Sequence, residues 1–210
     1  MLKADVGRQL WSDHRITILR IAIAVMAAAA IVWMSYQFWR LLFNSGDWGA
    51  PDLRSLHLES GRWFSGQGSF LVKKAALYPP ASYVILFPVL GWLEETPARW
   101  VWALTTSASL VWLIRLIHRA VTPPTPLASA FATLLPLSMY AFGATIGNGQ
   151  LGVHILPALI AGTLALRERS DWRGDGLVAV LILASLVKPT LSAPFFWIVL
   201  FVPRRLRPAV

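Results

Sequence analysis

The amino-acid sequence predicts an all-α integral membrane protein, a polytopic helical bundle with a long extracytoplasmic loop after its first span. Of the 210 residues, 56% are hydrophobic, and the mean hydropathy is +0.58. Several apolar runs approach the ~20 residues that a helix needs to cross a bilayer. The first run is followed directly by a mostly polar stretch, residues 44–77. We expect residues 1–210 to form a single transmembrane domain.

Charge and cysteine content exclude several classes of function. The net charge of +9 indicates basic flanks beside anionic lipid. Nucleic acid is not an expected partner, because basic and aromatic residues do not alternate along a soluble surface. Cysteine is absent, which excludes disulfides and thiolate chemistry. The histidines lack close ligand spacing, so we predict no metal site, and a divalent metal cofactor has no support in the sequence.

The N-terminal third predicts one span and one loop. Residues 1–15 are polar for too long to open a cleaved signal peptide. They carry several basic residues, so the positive-inside bias makes them cytoplasmic. The first span is then 16–43, and residues 44–77 form an extracytoplasmic loop. We predict short interfacial helices in this loop from its scattered apolar residues, namely Trp48, Leu53, Leu56, Trp63 and Phe64.

The remaining membrane segments lie within residues 78–203, before a basic tail at 204–210. We place them at Tyr78–Leu93, Trp100–Ile117, Leu127–Ile146, Leu151–Leu166 and Leu177–Val202. If each crossed once, two clusters of arginines, near 115–119 and 167–173, would lie outside, against the positive-inside bias.

Two changes remove this conflict. Tyr78–Leu93 is short and proline-rich, and would enter and return or fail to cross. Leu177–Val202 would form two shorter helices hinged at Lys188-Pro189, since proline breaks a helix. The loop 44–77, the "GNGQ" turn at 147–150 and the hinge would then share the outer side.

Lys188 is the first candidate for chemistry. A charge within a membrane segment costs at least ~2.5 kcal/mol, so such a residue suggests function. An ammonium suits a phosphate or an anionic headgroup, and Thr190 would add a hydroxyl donor. The alternative is a hinge lysine that extends to water and binds nothing.

Acidic and amide side chains supply the other candidates. Asp52 opens an amphipathic stretch and would act as a general base near the membrane surface, although spacing alone does not separate it from Asp47. We expect Asp47 and Glu59 to be mainly solvated loop residues. Tyr78 is an interfacial anchor that starts a helix.

The "GNGQ" turn carries two amides. Asn148 and Gln150 would bind sugar hydroxyls or phosphate oxygens, and turn chemistry alone is the alternative. His154 lies one helical turn after Gln150, on a similar face. It would either join the pocket or form a hydrogen bond between helices.

Four passages follow one another through residues 52–205: "DLRSLHLESGRWFSGQGSF", "LYPPASYVILFPVLGWLEETPARWVWAL", "GNGQLGVHILPALIAGTLALRER" and "GLVAVLILASLVKPTLSAPFFWIVLFVPRR". In this order they resemble glycosyltransferase family 87, a polyprenyl-phosphate-mannose-dependent group with the GT-C membrane fold. Members of this family are usually longer, so the resemblance implies the N-terminal part of a longer architecture.

The resemblance implies that a mannose-like hexose passes from polyprenyl phosphate to a lipid or glycan acceptor at the extracytoplasmic face, with inversion. By this likeness Asp52 is the general base, Lys188 lies near the donor phosphate, and Tyr78 and Gln150 shape the pocket. The composition favours a bacterial plasma membrane. Two alternatives stay open: a small transporter or flippase-like subunit, and a non-catalytic fragment of a glycosyltransferase.

Overall fold

The computed structural model describes residues 2–66, 78–168 and 171–201. All regular secondary structure in these residues is helical. The helices are α1 (Leu2–Phe43), α2 (Pro51–Phe64), α3 (Pro80–Leu90), α4 (Glu95–Val121), α5 (Pro126–Ser138), α6 (Tyr140–Gly147), α7 (Gly152–Glu168), α8 (Trp172–Ser185) and α9 (Pro189–Phe201).

Two of these helices are long and apolar enough to cross a membrane. They are residues His14–Phe43 of α1, with 30 residues, and α4, with 27 residues. At 1.5 Å per residue they reach ~45 Å and ~40 Å, more than a ~30 Å hydrocarbon core. The apolar surface of α1 is largely uncovered by other parts of the protein, because only 6% of its most apolar window is buried. This is expected of a helix that faces lipid. The chain is therefore a helical membrane protein.

The segment Leu127–Ile146, predicted as one continuous run, is broken in the structure. The helices α5 and α6 meet at Met139 with a bend of 53°. Met139 has extended backbone angles (φ −74°, ψ 129°), and Pro136 lies one turn before it. Proline has no amide hydrogen and its ring displaces the preceding carbonyl, so the helix ends shortly after it. Counted together as one bent span, α5 and α6 bring the candidate spans in the described residues to three by length and composition.

The predicted hinge in the last apolar segment is confirmed. The helix α8 ends at Ser185 and α9 begins at Pro189, which leaves Lys188 between them. Proline tolerates the first turn of a helix, where its missing N–H would have no partner. The helix α3 has 11 residues and reaches ~16 Å, about half of the hydrocarbon thickness. The helix α3 is therefore too short to cross the membrane by itself.

The core forms where the end of α1 meets α2, α3, α4 and α7. Its buried side chains include Leu41 from α1, Leu53 from α2, Tyr83 from α3, Trp102 from α4 and Leu159 from α7. The helix α2 turns Leu53 and Leu56 inward, so this part of the segment after the first span is packed onto the bundle. The most extensive contact between two helices joins α7 to α8.

Candidate functional site

The first turn of α2 is held by the "GNGQ" turn. The first N–H groups of a helix have no partner inside the helix, and none of the described side chains caps α2. The carbonyl of Asn148 takes this place, because it accepts hydrogen bonds from the amides of Asp52 (3.0 Å) and Leu53 (3.4 Å). The amide of Ala50 donates to the carbonyl of Gly147 at 3.2 Å. The aspartate segment and the amide turn therefore meet, as the sequence predicts.

Gly149 allows this close approach. Its φ of +70° lies in the left-handed region, where a side chain is disfavoured. A Cβ atom at this position would lie 2.5 Å from the Cβ atom of Leu53. Only glycine fits the turn against α2.

Arg40, in the last turn of α1, holds the same turn from the other side. Its Nη2 donates to the side-chain oxygen of Asn148 at 2.9 Å and to the carbonyl of Trp48 at 2.7 Å. Its Nη1 donates to Oε1 of Gln37 at 3.0 Å. One oxygen that was predicted to bind substrate, Oδ1 of Asn148, therefore faces a protein guanidinium. Sequence analysis did not select Arg40, although an arginine at the end of an apolar span was visible.

Lys188 and Tyr78 lie together beside this region. The Nζ atom of Lys188 is 5.6 Å from the centre of the Tyr78 ring, within range of a cation–π interaction. Burial, and to a smaller extent the charges of Asp52 and Glu59, together raise the pKa of Tyr78 to about 12. The phenol therefore stays protonated at neutral pH. In the part of the chain that the structure describes, Lys188 forms no ion pair.

Asp52 and Glu59 stand on one face of α2, because seven residues make about two turns. Asp52 is half-buried, and its carboxylate forms no hydrogen bond or ion pair with the described residues. The expectation that Glu59 is solvated is wrong: it is 7% exposed and accepts a hydrogen bond from the Tyr83 hydroxyl at 2.7 Å. Glu59 is a second acid at this site. The polar composition of the surrounding sequence gave no sign that it is buried.

The other predicted residues lie further apart. Asp47 and Thr190 are exposed. Gln150 lines an apolar cavity of about 270 Å³ with Leu191 and Phe195, among others. His154 lines a different cavity of about 330 Å³. There its Nε2 is 3.0 Å from Oγ1 of Thr105, and its ring is tilted against that of Trp102 with the ring centres 4.7 Å apart.

The expectation of a shared face for Gln150 and His154 is therefore not met. The turn ends between them, and α7 rotates the histidine toward α4. Within the described part of the chain, no group of three or more His, Asp or Glu side chains is arranged to hold a metal ion.

The arrangement places a proton acceptor and a fixed cation around one buried phenol. Asp52 is available to take a proton from a hydroxyl, and Lys188 is available to balance an anion. Neither charge is neutralised by an ion pair with a described residue. Such a pair suits a reaction in which a proton is removed at one end and negative charge grows at the other.

One comparison with known proteins finds a matching family. Residues 76–210, more than half of the chain, match the model of glycosyltransferase family 87. The matched part contains Tyr78, the "GNGQ" turn and Lys188, whereas Asp52 precedes it. No curated protein and no solved structure matches the chain.

Proposed function

Because the chain belongs to glycosyltransferase family 87, which implies transfer from a sugar donor to an acceptor, we propose the following reaction. A mannose-like hexose passes from a polyprenyl-phosphate donor to a lipid or glycan acceptor at the extracytoplasmic face of a bacterial plasma membrane. The observation that carries this proposal is the cluster around Tyr78. It holds the ammonium of Lys188 5.6 Å from the centre of the Tyr78 ring, and the charge of Asp52 acts on the same phenol, whose pKa it raises.

Asp52 is the general base of the proposed reaction. It removes the proton from the acceptor hydroxyl as the acceptor oxygen attacks the anomeric carbon of the donor sugar. The bond between that carbon and the phosphate oxygen breaks, and its electron pair leaves with the polyprenyl phosphate. One bond forms as one breaks on the opposite face of the sugar, so the anomeric configuration inverts. No covalent enzyme intermediate is required.

Lys188 stabilises the leaving phosphate. The donor phosphodiester carries one negative charge, and the departing phosphomonoester gains a second as it leaves. A fixed cation near the phosphate is worth more in the transition state than in the bound donor. Thr190, in the first turn of α9, adds a hydroxyl donor, and Tyr78 holds the ammonium against its ring. Gln150 and His154 belong to the adjoining apolar cavities, where they contact the lipid-linked parts of the substrates.

The proposed orientation follows from α4. The helix is long enough to span the membrane, so its two ends lie on opposite sides. Glu95 at its start pairs with Arg54 of α2 (3.3 Å), the helix that carries Asp52, and this contact supports a site at this end. Arg115 and Arg119 lie at the other end, and by the positive-inside bias that end is cytoplasmic. The site is then extracytoplasmic.

A transporter or flippase-like subunit is the second candidate. Transporters place substrates at paired broken helices, and the bend at Met139 gives a second broken helix besides the one at Lys188. However, the sequence from Pro126 to Gly147 contains no charged residue. The second break therefore lacks the charge that would match Lys188, and glycosyl transfer is favoured.

The test is transfer of radiolabelled mannose from polyprenyl-phosphate mannose, with bacterial membrane lipids as acceptor and the purified protein in liposomes. We expect Asp52→Asn to lower turnover at least ~100-fold, the range for loss of a general base, with an unchanged melting temperature. Glu94→Gln, an exposed acid at the start of α4, is the control and retains turnover.

Wild-type turnover by the Asp52→Asn variant would overturn the assignment of the base. Movement of the labelled donor across the liposome membrane without any product would instead support the flippase-like alternative. A chain that neither transfers nor moves the donor would support a non-catalytic fragment.

A further inference from the structure

We propose that Arg40 is a positioning residue for Asp52, and that it acts through Asn148. The inference rests on the proposed function, because Asp52 is taken as the general base. Arg40 itself does not touch the reacting atoms. It links the first membrane helix to the turn that caps the helix of the base.

The link has two steps, one through a side chain and one through the backbone. The guanidinium of Arg40 binds Oδ1 of Asn148 at 2.9 Å. The carbonyl of the same Asn148 accepts the amide hydrogens of Asp52 and Leu53. The contact joins residues 108 positions apart in the chain, so it is a tertiary constraint on the loop.

Arginine suits this role better than lysine would. Its planar fork presents several N–H donors in fixed directions. Here the fork also binds the carbonyl of Trp48 through Nε (3.1 Å) and Nη2 (2.7 Å), and Oε1 of Gln37 through Nη1. The guanidinium is thus fixed by α1 and by the loop before it meets the turn. A lysine would supply charge without this geometry.

The turn transmits its position to α2 because the two are tightly packed. Gly149 leaves no space between the turn and Leu53. The described residues supply no side-chain cap for α2, so the carbonyl of Asn148 takes the cap's place. A shift of the turn therefore moves the first turn of α2 and the carboxylate of Asp52 with it. A misplacement of about 1 Å at a reacting group lowers the rate by about 100-fold.

Hydrogen exchange tests the link directly. In Arg40→Gln we expect the peptide that covers residues 50–56 to exchange at least about tenfold faster, because its first amides lose a fixed acceptor. The α4 peptide should keep its wild-type rate. Unchanged exchange at residues 50–56 would overturn the proposal, and faster exchange throughout the chain would assign Arg40 a general role in stability instead.

Asn148→Ala provides the second variant if Arg40→Gln folds poorly. It removes the side-chain amide, including the Oδ1 atom that Arg40 binds, and leaves the capping backbone carbonyl in place. The same local increase in exchange is expected, and combining the two substitutions should add nothing, since they break one contact. Arg119→Gln is the control and should leave exchange at residues 50–56 unchanged. Arg119 pairs with Glu168 at the far end of α4 and does not reach the turn.

Mannosyl transfer from polyprenyl-phosphate mannose completes the test. We expect Arg40→Gln to lower kcat about 100-fold with little change in the KM for the donor, and to have no further effect in the Asp52→Asn background. An additional loss in that background would overturn action through Asp52. If exchange rises as expected but both Asp52→Asn and Arg40→Gln keep wild-type kcat, the assignment of Asp52 as the base fails while the structural link stands.

Discussion

Arg99, near the start of α4, holds the segment that follows the first membrane helix. Its side chain is only 5% exposed. The guanidinium donates to three backbone carbonyls, those of Leu41 (3.3 Å), Asn44 (2.7 Å) and Gly49 (3.3 Å). Its Nη2 also lies 2.8 Å from Oε1 of Glu95. The end of α1, the loop and α4 are therefore joined through one buried cation.

Arg99→Met tests this role with a side chain of similar length and no donors. Three backbone carbonyls, two of them in buried contacts, lose their partner, and each such loss costs ~1–3 kcal/mol. We take the lower value, because the loop is near the surface, and expect a loss of ~3 kcal/mol in the free energy of unfolding. In a protein of this size, that loss lowers the melting temperature by about 6–12 °C.

The measurement is thermal unfolding of the purified protein in detergent, followed by circular dichroism. Arg54→Met is the matched control, because Arg54 also pairs with Glu95 but its side chain is 33% exposed. Water can replace its contacts, so the expected cost is at most ~1 kcal/mol. Equal melting temperatures for wild type and Arg99→Met would refute the reasoning. A larger loss for Arg54→Met than for Arg99→Met would do the same.

Two further substitutions test the turn and the hinge. Gly149→Ala forces a side chain into a left-handed backbone, which costs ~1–2 kcal/mol even before the contact with α2, so we expect a lower melting temperature and lower turnover. Gly61→Ala, inside α2 and with open space around the new methyl group, should lower neither, since alanine favours a helix over glycine. Lys188→Met should lower kcat by about 100-fold, as loss of a transition-state charge partner does, with Lys188→Arg retaining part of the activity. Equal rates for Lys188→Met and wild type would remove the lysine from the mechanism.

Local chemistry explains why several elements were predictable from the sequence. The uncharged stretch within α1 and the apolar run within α4 have the length of a membrane span, which depends only on composition. The break at Lys188-Pro189 follows from the proline ring, which acts on its own helix. The amphipathic spacing of Leu53 and Leu56 indicates a helix at α2. The family resemblance likewise depends on short passages of sequence, and the family match supports it.

The bend at Met139 was not predicted, although the sequence contains one signal for it. Pro136 marks the position in the sequence. However, membrane helices often contain a proline without breaking, because neighbouring groups satisfy the freed carbonyl. Whether the helix continues is decided by packing, and here α5 and α6 both pack on α1.

Long-range contacts decided the rest. Nothing near Glu59 in the sequence shows that it is buried against Tyr83, and nothing near Asn148 shows that Arg40 binds it across 108 residues. The same holds for Gln150 and His154, which are four residues apart and line different cavities. Helical periodicity specifies which face a residue occupies but not which helix faces it. The sequence by itself therefore determined the membrane helices, the hinge and the family, while the tertiary structure decided which charges meet and which are already engaged.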